Sequence, residues 1–199
     1  MAEKLLFMAL LCAASLNMLE CNCWGCARRA DSIRKLFSTT EPIWIHTTSR
    51  WTNLKCLVDV VDSLERISVN FTRLCYNHGH KVSRTLQGIF YADRKKHMDV
   101  KTSGPIFNFQ EDLLFMNDDS SCAVVMVTTN ICGKRHKYDL RIRNTFITKT
   151  PHKNCLKAFE KYEKHAQVIY DPSCQHILAK LGESKPYEPQ KERCINEVH

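Results

Sequence analysis

The sequence predicts an all-β fold: an eight-stranded antiparallel barrel with a short N-terminal helix and a C-terminal helix packed outside it. Three observations carry this. Eight segments rich in β-branched and aromatic residues recur between short polar turns. Two helical patterns bracket them. Eight meandering strands must also hide their edges, which closure into a barrel does. A β-sandwich fits the strand count almost as well.

The first helix is expected over 31–37, with Asp31 as N-cap and Ile33, Leu36 and Phe37 on one face. Strands follow at 42–48, 54–61, 66–75, 81–91, 97–102, 107–116, 122–129 and 138–145. They are separated by turn chemistry such as Asp62-Ser63, Asn77-His78-Gly79 and Asn117-Asp118-Asp119. The second helix is expected from His152 to His165, where Cys155, Phe159, Tyr162 and Ala166 form one apolar stripe opposite Lys and Glu. Pro151 suits its first turn. Residues 167–170 read as a last short strand. Both faces of 123–127 are apolar, as expected of a strand that lines a lumen on one side and lies under a helix on the other.

With 199 residues, 44% apolar and 25% charged, the chain supports one domain with a sizeable core. Leu5 to Leu16 is an almost unbroken apolar run, too short to span a bilayer, and reads as the core of a signal peptide. No later run is long enough to span either, so a secreted, extracellular, monomeric protein is expected. Cleavage after Ser15 or after Gly25 satisfies the small-residue rule; the preferred division is 1–25 leader, 26–181 barrel domain and 182–199 tail. Eleven cysteines are too many for a reducing cytosol, and the zinc-type C-x2-C spacing occurs once, at Cys23 and Cys26. Cutting after Gly25 leaves eight, an even number consistent with a disulfide framework.

The net charge of +8 raises the question of polyanion binding. The runs Arg94-Lys95-Lys96-His97 and Lys134-Arg135-His136-Lys137 lie between strands without interleaved aromatics, so they read as solvated turns, and no nucleic-acid partner is expected. His78 and His80 lack a third ligand at metal-site spacing. No nucleophile elbow, phosphate loop, zinc-protease helix or calcium loop occurs, so neither an enzyme, a metal nor a cofactor is expected. Asn70-Phe71-Thr72 is a glycosylation sequon, and a sugar on Asn70 would leave Val69 and Phe71 facing inward.

The run Cys122 to Val127, the stretch Tyr138 to Asn144, Asn154-Cys155-Leu156-Lys157-Ala158-Phe159 and Tyr170-Asp171-Pro172-Ser173-Cys174 together resemble the C-terminal half of the tick salivary lipocalins, the family of histamine-binding proteins. Lys55-Cys56-Leu57-Val58 resembles that family's second-strand cysteine. The resemblance covers roughly residues 31–178. It implies a lipocalin barrel that sequesters a small host inflammatory mediator, by family a biogenic amine such as histamine or serotonin, and so aids evasion of host defence. The alternatives are an anionic lipid mediator (leukotriene, thromboxane or fatty acid) or a protein-binding module such as a protease inhibitor. The resemblance pairs Cys56 with Cys174 and Cys122 with Cys155. Cys75 and Cys132 follow strands whose loops leave the same barrel end, so a bridge across the mouth is one pairing open to them, which would leave Cys26 with Cys194 by elimination; the pairing of these four stays open.

Amine-binding members carry Cys-Asp-aliphatic and Glu-Leu-aromatic triplets, because a buried cation needs a carboxylate and gains from an aromatic face. Here Ala123 stands at the Asp position, Asp139 at the Glu and Arg141 at the aromatic. Histamine binding weaker than in full-motif members is therefore expected, with Arg141 offering a fork to a ligand carboxylate. Asp139 and Arg141 share a strand face and can pair. The resemblance puts that face in the lumen, whereas periodicity alone would bury Leu140 and Ile142 instead. Trp44, Trp51, Phe107, Phe109 and Phe115 are the candidate aromatic wall. Of Glu111 and Asp112, which point to opposite faces, one at most enters the lumen.

Overall fold

The computed structural model describes residues 31–102, 108–130 and 133–180. The expected leader 1–25, Cys26, Phe107, Cys132 and the tail 182–199 with Cys194 lie outside the described residues. A short helix α1 (Ile33–Phe37) precedes eight strands: β1 (Ile43–Thr48), β2 (Leu54–Leu64), β3 (Ser68–Asn77), β4 (His80–Phe90), β5 (His97–Thr102), β6 (Asn108–Met116), β7 (Cys122–Thr129) and β8 (Arg135–Arg143). Each strand from β2 to β7 pairs antiparallel with the next, β8 pairs with β1, and Ile43 and Trp44 of β1 pair with β2, closing the barrel. Helices α2 (Asn144–Ile147) and α3 (Lys153–Glu160), a two-residue strand β9 (Gln167–Val168) and a 3-10 helix (Pro172–Lys180) complete the described chain.

Helix α1 closes one end. Its Ile33 amide, Arg34 Nε and Lys35 Nζ donate to the carbonyls of Lys95, Glu65 and Asp118, one from each of the three turns at that end. Ile33, Leu36 and Phe37 then join Val69, Phe71, Met98, Leu113 and Ala123 in the inner core. Among the described residues no such helix covers the opposite end, called the open end below, and there the β3–β4 connection is a two-residue hairpin with positive φ at both His78 and Gly79, the geometry whose twist matches the flanking strands.

A second core lies outside the barrel wall. Val58, Leu74, Val124, Leu140 and Ile142 pack under Cys155, Ala158 and Phe159 of α3 and under Tyr170 and Ile177. This accounts for the apolar run in β7, with Ala123, Val125 and Val127 inward and Cys122 and Val124 outward. Disulfides Cys56–Cys174 and Cys122–Cys155 tie the C-terminal segment and α3 to the wall. Above Trp44 the β1–β2 seam opens and the C-terminal segment fills it: the Ile169 amide donates to His46 and the Cys56 amide to Ile169.

Several boundaries depart from expectation for local reasons. Ser32, not Asp31, caps α1, accepting from the Lys35 amide at 3.3 Å. Strand β2 runs on through the expected turn at Asp62-Ser63, absorbing the extra residue as a bulge. The basic residues Arg135 to Lys137 belong to β8 rather than to a turn, while Asn144 and Thr145 start α2 instead of ending the strand. Helix α3 stops at Glu160, short of His165, and Tyr162 stacks on Tyr138 from just beyond it.

Candidate ligand-binding site

Alternation along the strands brings four charged side chains together across the middle of the lumen. Asp59 stands inward between Leu57 and Val61, Arg73 two residues past Phe71, Glu111 two before Leu113, and Arg141 opposite Ala123. Arg73 forks onto Asp59 at 2.6 and 2.8 Å and reaches Glu111 at 3.2 Å. Arg141 Nη2 donates to Glu111 Oε1 at 2.6 Å, and its Nη1 lies 3.5 Å from Asp59. Two cations and two carboxylates thus balance where an unpaired charge would be costly.

Their ionisation follows from this packing. Burial alone would raise the Glu111 carboxyl, but attraction from Arg141 and Arg73 outweighs it and the net shift is downward. Burial likewise disfavours both charged guanidiniums, yet Asp59 and Glu111 hold Arg73 and Arg141 above their ordinary range. Asp59, Glu111 and Arg141 are fully buried, whereas the Arg73 side chain keeps 15% of its accessible surface. Solvent-sized space therefore reaches Arg73 inside the barrel. Its guanidinium also sits 5.5 Å over the Phe109 ring.

Toward the open end an apolar cluster of Ile45, Leu57, Cys75 and Ile169, with half-buried Leu54 and Val82, lines part of the inner face, and the register places Arg84, opposite Arg73, and Lys137, opposite Val127, on that same face. Asp139 adds a carboxylate there, accepting from Thr48 Oγ1 at 2.7 Å and facing Lys137 Nζ at 3.1 Å.

Of the sequence-predicted site residues, Phe109, Glu111, Asp139 and Arg141 lie on the luminal face. Asp139 and Arg141 do not pair with each other: Arg141 turns to Glu111 and Asp59, because these carboxylates share its level, and Lys137 takes Asp139. Asp112 points outward, 2.7 Å from His97. Phe115 also lies outside the lumen, because a bulge between Leu113 and Phe115 reverses the alternation. Trp44 faces the outer core, edge-on to Tyr170, and donates Nε1 to Asn144 at 2.8 Å. Trp51 is 82% exposed at the rim. Cys75 is a buried free thiol in the luminal cluster, and its expected partner Cys132 lies outside the described residues. Asn70 is on the outer side between inward Val69 and Phe71.

Asp59 and Arg73 escaped sequence reasoning, although both left a trace. Asp59 is a lone charge in the apolar run 56–61, and the phase that the Asn70 sequon sets for Val69 and Phe71 extends to Arg73.

No known family's sequence profile matches the chain, and no curated protein matches it. Solved structures do. Lobster apocrustacyanin A1 is similar with TM-score 0.54 and 13% identity, over 72% of this chain and 83% of that one. Japanin from Rhipicephalus appendiculatus, bound to cholesterol, gives 0.53 and 10% over 68% and 96%. The siderocalin Ex-FABP, described as having dual ligand specificities, gives 0.52 and 11% over 66% and 93%. The barrel topology and these likenesses together establish that the chain has the lipocalin fold.

Proposed function

We propose that the protein sequesters a small amphiphilic molecule in the open half of its barrel, outside the cell. The ligand's apolar body lies against Leu54, Val82 and Phe109, and its acidic head meets Arg73. The observation that carries this reading is the accessible surface of Arg73, an inward cation below the apolar cluster of Ile45, Leu57 and Cys75 and beside Arg84 on the next strand. Asp59 and Glu111 are fully buried and paired with arginines, so Arg73 is the member of the four that a guest can reach. The apolar leader sequence and the two disulfides support secretion. The resemblance to tick salivary lipocalins and the fold shared with cholesterol-bound Japanin support a host mediator with a lipid body, such as a leukotriene, thromboxane or fatty acid.

A biogenic amine is the second reading, favoured by Asp139, which contacts no arginine among the described residues. Histamine or serotonin would have to displace Lys137 from it. Titration calorimetry of a leukotriene, a thromboxane analogue, histamine and serotonin tests both readings. Arg73→Ala should weaken the lipid by about 2 to 4 kcal/mol, the usual loss of a desolvated charged partner. Abolition of amine binding by Asp139→Asn, with no effect of Arg73→Ala on any ligand, would establish the second reading instead.

A further inference from the structure

The open end of the barrel is unlike the closed end in charge. Among the described residues, 49–54, 77–82 and 133–138 lie at the rim, and they contain no Asp or Glu. They present exposed Arg50, Lys134 and Arg135, and Lys101 at the top of β5 is exposed beside them. The closed end is mixed instead, with Glu65, Asp93, Asp118 and Asp119 set among Arg66, Arg94, Lys95 and Lys96. Basic residues far apart in sequence are thus gathered on one side of the molecule by the up-and-down topology.

The same end carries exposed apolar groups. Trp51 stands on the rim next to Arg50, 82% exposed. The Trp51 loop is tied to β9 by Gln167, which accepts from the Thr52 amide at 2.9 Å, and β9 exposes Val168. Tyr162, stacked on Tyr138 beside the same loop, is a third. A stranded Trp costs apolar exposure in water. At a lipid headgroup layer it is in its preferred place, with bases beside it meeting anionic lipid.

We infer that the rim is a docking surface for an anionic membrane, with Trp51 entering the headgroup layer and Arg50, Lys101, Lys134 and Arg135 resting on acidic lipid. A sulfated polysaccharide would satisfy the bases but gives no reason for the exposed Trp51. The inference does not depend on what the lumen holds. If both are right, the mouth opens onto the bilayer, and an amphiphile can pass from lipid to barrel without crossing water.

The test is vesicle flotation of protein purified from the medium of a eukaryotic secretory host. Vesicles are phosphatidylcholine alone or with 30% phosphatidylserine, roughly a strongly anionic leaflet. Binding is expected to the anionic vesicles only, with a blue shift of Trp51 fluorescence that Trp51→Phe removes. Each of Lys134→Gln and Arg135→Gln should lower the partition coefficient about fivefold, the worth of one base at such a surface. Lys95→Gln with Lys96→Gln at the closed end should change nothing. Equal binding to neutral vesicles, or equal losses from the two ends, would overturn the inference. So would binding to heparin without binding to vesicles, which would make the rim a polysaccharide site.

Discussion

Arg141 Nη2 lies 2.6 Å from Glu111 Oε1, with both side chains fully buried in the barrel. The pair comes from strands that are not neighbours, and Asp59 and Arg73 complete its charge balance. Desolvation of such a pair offsets much of its attraction, so it fixes which strands face one another more than it adds net stability.

Removing one partner should therefore cost far more than removing both. Glu111→Gln is expected to lose about 3 to 5 kcal/mol, because Arg141 is left buried with Asp59 3.5 Å away. Glu111→Leu combined with Arg141→Met should lose less than the sum of the single changes. Urea denaturation of the wild type, Glu111→Gln, Glu111→Leu, Arg141→Met and the double variant measures this.

Acid should act through the same carboxylate. The Glu111 pKa is depressed in the folded state, so its contribution is present above the ordinary carboxylate value of about 4.3 and is lost as pH falls through the lower folded value. Stability against pH should thus slope less steeply below about 4.3 in Glu111→Gln than in the wild type. Parallel curves would mean that the pair is not ionised as described.

The barrel was legible because alternation and turn chemistry act locally: a Gly in a positive-φ hairpin or an Asp-rich turn marks a strand end wherever the strand goes. The interior was harder to read. One extra residue after Leu113 turns Phe115 outward, and nothing in the sequence marks that bulge. Trp44 reads as a ligand wall until the outer core under Tyr170 is seen. Asp139 and Arg141 share the expected face, and Lys137 lies two residues away on the same strand, but their other partners come from β1, β2 and β6, which single-strand reasoning cannot supply.

The C-terminal wedge should depend on its bridge. Ile169 fills the opened β1–β2 seam, and Cys56–Cys174 holds it across 118 residues of sequence. In the chain-entropy account, a loop of that size is worth about 5 kcal/mol, against about 4 for the 33-residue loop of Cys122–Cys155. Cys56→Ser with Cys174→Ser should lower stability more than Cys122→Ser with Cys155→Ser. It should also speed amide exchange at Ile169, while α3 stays protected.

Gly88 sits where two inward side chains converge. A Cβ built there would lie 2.2 Å from Met98 Sδ and 2.9 Å from Val69 Cγ1. Gly88→Ala should destabilise by about 1 to 3 kcal/mol through overpacking. Adding Met98→Ala should recover part of the loss, since the thioether is the closer obstacle. Simple additivity of the two in thermal unfolding would place the strain elsewhere.

Cys75 offers a chemical probe of the lumen. Burial pushes its thiol pKa up, against the pull of Arg73 and Arg84. Only a thiolate attacks iodoacetamide, and the ordinary thiol value of about 8.5 already leaves few per cent ionised at pH 7. The native protein should therefore leave Cys75 unmodified under conditions that label it fully in guanidinium. Mapping the peptide that contains Cys75 reads this residue alone. Cys75 clusters with Ile45 and Leu57 on the wall proposed to hold the ligand, so a bound lipid should slow native labelling further. Arg73→Ala should slow it as well, because the neighbouring cation that favours the thiolate is gone. Rapid native labelling, unaffected by lipid, would place the Cys75 thiol outside the luminal face.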